Sequence, residues 1–220
     1  MSVIKTSIAR KIAMSLSALF LLVFLLQHFV INFSSVFGEE TFNEISHFMG
    51  TNPVVQFVLQ PILMFGVVFH FTMGFVLEAQ NRSARPTKYA MNKGEANASW
   101  VSRNMLFSGL FILGFLAVHL WDFWAPEMNY KYIQMNTPNP TRYYEEMVHK
   151  FGDIWRVAVY VITFVFLSLH LLHGFQSAFQ SMGWRHPKYT PIIQQVGKIY
   201  AIAIPAGFIF IALFHHFTHH

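Results

Sequence analysis

The stretch Pro61–Leu77, PILMFGVVFHFTMGFVL, holds 17 residues without one charge and with a single histidine in its second half. Extended back to Pro53, it reaches the roughly 20 apolar residues that a helix needs to cross the hydrocarbon core of a bilayer. Working outward, four more stretches of this kind appear: about Ile12–Phe37, Asn104–Ala125, Ile154–Gln180 and Ile199–Phe217. The composition agrees, with 11% charged and 54% apolar residues, against about 25% charged in a soluble domain. The sequence therefore predicts an all-α integral membrane bundle of five transmembrane helices, one domain over residues 1–220. The first stretch reads as a span rather than a cleaved signal, because its apolar run is long, contains Gln27 and His28, and precedes no small-residue cleavage site.

The absence of cysteine excludes protein-held iron–sulfur clusters, covalently attached haem and disulfides. Orientation follows from Lys and Arg in the connections. The N-terminus and the connections after spans two and four carry eleven of them: Lys5, Arg10, Lys11, Arg82, Arg85, Lys88, Lys93, Arg103, Arg185, Lys188 and Lys198. The opposite side carries four, Lys131, Arg142, Lys150 and Arg156, and the acidic Glu39, Glu40 and Glu44. A cytoplasmic N-terminus and an outside C-terminus are expected. Trp100, Trp121, Trp124, Trp155 and Trp184 fall near span ends, where interfacial aromatics belong. The connection Pro126–Asp153 reads as a long polar loop over the outer mouth, with Asn81–Trp100 as its cytoplasmic counterpart.

An imidazole inside a membrane helix is costly and by default marks function. His28, His70, His119 and His170 fall one on each of four consecutive spans, with His173 beside the last. A single such histidine is as well explained by a hydrogen bond to a neighbouring helix; four in series are not. His28 precedes Glu39 by 11 residues and His119 precedes Asp122 by 3, so both lie toward the outside. His70 lies 18 residues beyond Asn52 and His170 17 beyond Asp153, which at about 1.5 Å per residue puts both some 25 Å from the outer boundary. Two levels with two imidazoles each suit two bis-histidine haems. Gly66 and Gly74 flank His70 at i−4 and i+4, and Gly174 and Ser177 follow His170 on one face, where a flat macrocycle needs a thin helix; helix packing asks for the same residues. Gly109 and Gly114 precede His119. The small-residue stripe favours His170 over His173 as the ligand, leaving His173 for a haem propionate or another polar contact. His47, His149 and His186 read as solvated loop residues, and His215, His216, His219 and His220 as a frayed polar end. No acidic residue reads as lying deep in a span.

Four stretches carry a resemblance: SIARKIAMSLSALFLLVFLLQHF (Ser7–Phe29), VVFHFTMGFVLEAQNRSARPTKY (Val67–Tyr89), SRNMLFSGLFILGFLAVHLWDFW (Ser102–Trp124) and HLLHGFQSAFQSMGW (His170–Trp184). With their N-R-x-A-R-P, S-R-x-M-x-x-S-G and H-L-x-D-F patterns they resemble the single-chain, five-helix, dihaem cytochrome b subunit of succinate dehydrogenase and fumarate reductase. The resemblance implies that spans one and three hold one haem b, through His28 and His119, and spans two and four the other, through His70 and His170. It implies an anchor in a bacterial cytoplasmic membrane for a flavoprotein and an iron–sulfur subunit on the cytoplasmic face, with lipid around it, no nucleic-acid partner, and the oligomeric state of the complex left open. It implies electron exchange with a quinone, expected to be menaquinone. Some fumarate reductases of this type carry glutamate two residues before the fourth ligand. Ser168 stands there, which leans the reading toward succinate oxidation.

The chain has no nucleotide fingerprint, flavin domain or cluster ligands, so it holds no complete site for succinate oxidation. A second haem nearer the outside suggests a quinone site there, with Asn32, Glu44, His47 and Asn52 as polar candidates and Glu44 or His47 exchanging the proton. Two rivals stand beside this reading. One is a haem subunit of another quinone-linked enzyme of hydrogenase or formate dehydrogenase type. The other is a transporter relaying protons or metal ions through buried histidines.

Overall fold

The computed structural model describes residues 7–83 and 104–218. Lys5, the segment 84–103 with most of the N-R-x-A-R-P motif and with Arg85, Lys88, Lys93, Trp100 and Arg103, and His219 and His220 lie outside the described residues. Seven helices follow one another and no strand occurs among the described residues: α1 Ser7–Phe33, α2 Glu39–Thr51, α3 Val55–Ser83, α4 Met105–Ile133, α5 Arg142–Phe151, α6 Ile154–Ser181 and α7 Thr190–Thr218. Five of them, α1, α3, α4, α6 and α7, are long and apolar enough to span a membrane.

Large apolar side chains cover the outside of these five, among them Val23, Val30, Phe65, Val68, Phe107, Ile162 and Ile202, as lipid contact requires. The packed centre lies between α6 and α7, which make the most extensive contact. Small residues let their backbones approach, with Ala201 and Ala212 fully buried. One apolar cluster gathers Val157, Tyr160, Phe164, Phe208 and Ile211 toward the end of the bundle opposite Ser7, hereafter the far end. A smaller one gathers Leu22, Leu171, Phe175 and Ala201 toward the near end. Pro205 is buried inside α7; membrane helices tolerate such a break where neighbours cover it.

Several expected boundaries shift. The third span does not stop at Ala125. It continues to Ile133 through two wide π-type turns, Leu120–Trp124 and Asn129–Ile133, the kind of irregularity that is frequent at functional sites. The fifth span begins at Thr190 rather than Ile199, since Gln194, Gln195 and Lys198 lower its hydropathy without breaking the helix. The two far-end connections are not plain loops: they carry α2 and α5, short amphipathic helices that pack on each other and on α1, α6 and α7. α2 starts at Gly38, whose φ of +153° favours a residue without a side chain. α6 ends before Gly183, with φ +77°, the left-handed residue that commonly closes a helix.

His47 and His149, expected in loops, sit on α2 and α5; His149 is exposed and His47 half-buried, whereas His186 lies exposed in the α6–α7 connection. His215 corrects the expectation of a frayed end. It is fully buried, bonded to the Ser35 hydroxyl at 2.8 Å and edge-on to Tyr144 at 5.5 Å, because the far-end helices close over it. His216 meets the Phe151 carbonyl at 2.8 Å.

The α6–α7 contact makes a test. A Cβ on Gly197 would lie 2.6 Å from Phe175 Cδ1, so Gly197→Leu overpacks the centre and costs about 1–3 kcal/mol. Thermal unfolding in detergent is expected to show a lower Tm; an unchanged Tm contradicts this packing.

Candidate functional site: two histidine pairs

Four of the spans bring their histidines together in twos. The rings of His28 on α1 and His119 on α4 stand 5.7 Å apart, centre to centre, and nearly perpendicular. Those of His70 on α3 and His170 on α6 stand 6.4 Å apart with an angle of 69°. The ring that meets His70 is that of His170; His173 lies half-buried on an adjacent face. Register follows from the helices: Ser17 of α1 touches His70, and Ser108 of α4 touches His170. Ser17 precedes His28 by 11 residues and Ser108 precedes His119 by 11, so the two pairs are about 16 Å apart along the bundle.

Two imidazoles can share one iron only at a particular spacing. A metal–imidazole bond is about 2 Å and the ring centre lies about 1 Å further on, which places two such centres about 6 Å apart. The separations of 5.7 and 6.4 Å bracket this value. Among the described residues no group of three or more His, Asp or Glu side chains is placed to hold a single metal ion. The donor set at each level is two neutral nitrogens, which suits a haem iron already held by four ring nitrogens of its own.

The surroundings of the two pairs differ. The near pair is held by hydroxyls: Ser17 Oγ lies 3.1 Å from His70 Nδ1, and Ser108 Oγ 3.2 Å from His170 Nδ1. The far pair is wrapped in aromatic rings, with Phe24 stacked on His28 at 5.4 Å and Phe115 on His119 at 5.7 Å. Phe208 and Phe123 close the sides. Asn32 donates to the His28 backbone carbonyl at 2.8 Å, with its amide 3.4 Å from the ring.

Beyond the far pair stands a charge whose burial was not expected. Asp122 sits in the wide turn of α4, fully buried. Its Oδ2 accepts from Arg156 Nε at 2.8 Å and from the Tyr160 hydroxyl at 3.1 Å, and the same hydroxyl lies 3.5 Å from His119 Nδ1. Read as a boundary marker, Asp122 suggests water; α4 instead runs eleven residues past it, so the carboxylate lies inside and survives there through its partners.

Farther out, an ionic cluster ties the cap together. Glu127 of α4 pairs with Lys131 and with Arg142 of α5, Arg142 also bonds Glu146 at 2.7 Å, and Lys131 donates to the Gly50 carbonyl of α2. The Arg142 guanidinium lies over the Tyr130 and Tyr143 rings, at 4.2 and 4.5 Å. Burial pushes the Tyr143 phenol up, against the opposing pull of Arg142. His47 lies 6.2 Å from the Tyr143 ring and its Nδ1 is buried without a hydrogen bond, while Glu44 is exposed on the same helix. Asn52 caps the start of α3 through Val54 and Val55. Of the four polar residues expected to line a quinone site, Asn32 and Asn52 thus make local side-chain hydrogen bonds, and among the described residues no side-chain hydrogen bond of Glu44 or His47 is seen.

The glycines divide. A Cβ at Gly66 would strike Phe20 at 2.8 Å, so this glycine serves helix packing; one at Gly174 would make an ordinary contact with Met105 at 3.4 Å, one at Gly109 would lie 3.5 Å from His170, and one at Gly114 would meet nothing within 4 Å.

Comparison of the chain with family models, with curated proteins and with solved structures finds no match.

Asp122→Ala leaves Arg156 and Tyr160 without their shared acceptor. Breaking a buried pair costs about 3–5 kcal/mol, and the lower end applies because Arg156 is 29% exposed and lies 3.7 Å from Asp153. Tyr160→Phe, which removes one bond and leaves the ion pair, is expected to cost less in the same denaturation assay. Equal losses would mean that the ion pair is not the dominant contact.

Proposed function

We propose that this chain is the dihaem cytochrome b anchor of a succinate:quinone oxidoreductase in a bacterial cytoplasmic membrane. The observation that carries the reading is the pairing of four histidines from four consecutive spans, at two levels, with ring centres 5.7 and 6.4 Å apart. His28 and His119 would hold the far haem, and His70 and His170 the near one. Bound haem supplies one-electron storage at each level. The chain supplies the ligands, the aromatic and hydroxyl surroundings and the exclusion of water. His173, half-buried beside the near pair, would meet a propionate.

The Lys and Arg asymmetry puts the near end in the cytoplasm, where succinate and fumarate are found. The flavoprotein and iron–sulfur subunits then dock at that end, next to the near haem, on the connections after α3 and α6. Lys188 is exposed there, and crosslinks from the iron–sulfur partner are expected to reach it. The far haem would carry electrons to a quinone at the opposite face, where Glu44 or His47 of α2 would exchange the proton.

The ligand assignment has a direct check. His70→Ala or His170→Ala is expected to remove one haem b and keep the other, and His28→Ala or His119→Ala to do the converse, read as pyridine haemochrome per chain. Loss of a haem on His173→Ala but not on His170→Ala would overturn it.

Directionality has another. Electrons moving from a negative cytoplasm to a positive outside run downhill, by about 2.3 kcal/mol per charge per 100 mV. With protons taken from the outside, the potential drives succinate oxidation by menaquinone. In sealed vesicles of the complex, an uncoupler is expected to slow succinate-dependent menaquinone reduction. A rate unchanged by collapse of the potential, or a quinone-site inhibitor bound beside His70, contradicts a far-side quinone site.

A further inference from the structure

The two near histidines share a detail that neither the fold nor simple ligation requires. Each has Nδ1 against a serine from a neighbouring helix, at 3.1 Å for His70 with Ser17 and 3.2 Å for His170 with Ser108. Both serines are buried, 9% and 5% exposed. Each hydroxyl is also bonded to the carbonyl three residues back, Ser17 to Met14 at 2.7 Å and Ser108 to Met105 at 2.9 Å.

A serine hydroxyl has one proton. Once that proton is given to a carbonyl, the oxygen can only accept, so the imidazole nitrogen facing it must carry the hydrogen. In a neutral ring that leaves the lone pair on Nε2. Serines in membrane helices often bond back to a carbonyl, as Ser15 does to Lys11. What distinguishes Ser17 and Ser108 is that two different helices, with different local sequences, set the same second contact on both members of one pair.

We propose that Ser17 and Ser108 are positioning residues: their committed hydroxyls lock His70 and His170 in the Nδ1–H tautomer and leave both Nε2 lone pairs for a metal centre between the rings. The metal part of this rests on the haem reading given above; the tautomer part does not. A ligand imidazole that donates its other N–H is more basic and better oriented, and losing such a partner weakens metal binding by about 10–100-fold. A more basic ligand also favours the oxidised iron, so removing the hydroxyl raises the midpoint potential of the near centre.

The full chain labelled with 15N-histidine and prepared without haem tests the tautomer by NMR, with His70 and His170 assigned from single histidine variants. Nδ1–H with bare Nε2 is expected in the parent, a tautomer mixture at His70 in Ser17→Ala and at His170 in Ser108→Ala, and the parent form in Ser17→Thr, which keeps the hydroxyl. Nε2–H in the parent, or no change at His70 in Ser17→Ala, overturns the proposal. In the haem-loaded chain, redox-titrated visible spectra of Ser17→Ala are expected to show one centre shifted to higher potential and the other unmoved, with Ser17→Thr returning toward the parent. Two centres with unshifted potentials would overturn the metal part. A chain that shows the tautomer change yet takes up no haem would sink the haem reading and leave the serine assignment standing.

Discussion

An imidazole has one N–H to give and one lone pair to share, and hydrocarbon satisfies neither. A histidine in a membrane helix therefore dictates what must stand opposite it. Here that demand recurs on four spans, and the structure answers it by bringing the rings together in twos, His28 with His119 and His70 with His170. Helix order and register follow from these meetings. An odd-numbered span must set its early residues, Ser17 or Ser108, against the late histidine of an even-numbered one. Antiparallel packing of four consecutive helices achieves this, and α7 fills the remaining side, pressing Phe208 against His28.

The two levels are built from different materials. Near the N-terminal end the ring nitrogens meet neutral hydroxyls. At the far end they meet aromatic faces and, through Tyr160, the buried carboxylate of Asp122 with its Arg156 partner. On the proposed reading this contrast sets the two centres in unlike electrostatic surroundings, which suits electrons arriving at one end and leaving at the other. At the far end α2 and α5 lie across the bundle and are tied to α4 by the ionic cluster around Arg142.

The five spans and the four histidines were legible in the sequence because hydropathy and intramembrane polar residues are strong, local signals. Far-end detail was less so. The helices α2 and α5 are amphipathic and charged, so a hydropathy reading passes over them as loops, although the i, i+4 spacing of the buried Met147 and Phe151 was a signal that could have revealed α5. The burial of Asp122 was not legible because a carboxylate ordinarily marks the water boundary, and its partner Arg156 is 34 residues away on another helix. His215 was misjudged for a similar reason, since only the fold shows that Ser35 and Tyr144 cover it. Ser17 and Ser108 carried a faint signal, a hydroxyl within a span, but their partners are set by register between helices.

On the proposed reading the two imidazole pairs hold two haems rather than merely satisfying each other. The ring spacing permits an iron between them, and the most direct measurement is the haem b content of the purified chain, counted by pyridine haemochrome against protein concentration. The account requires two haems per chain, both low-spin and bis-imidazole by electron paramagnetic resonance. A colourless chain that folds normally with haem supplied, or one with a single high-spin haem, would contradict it.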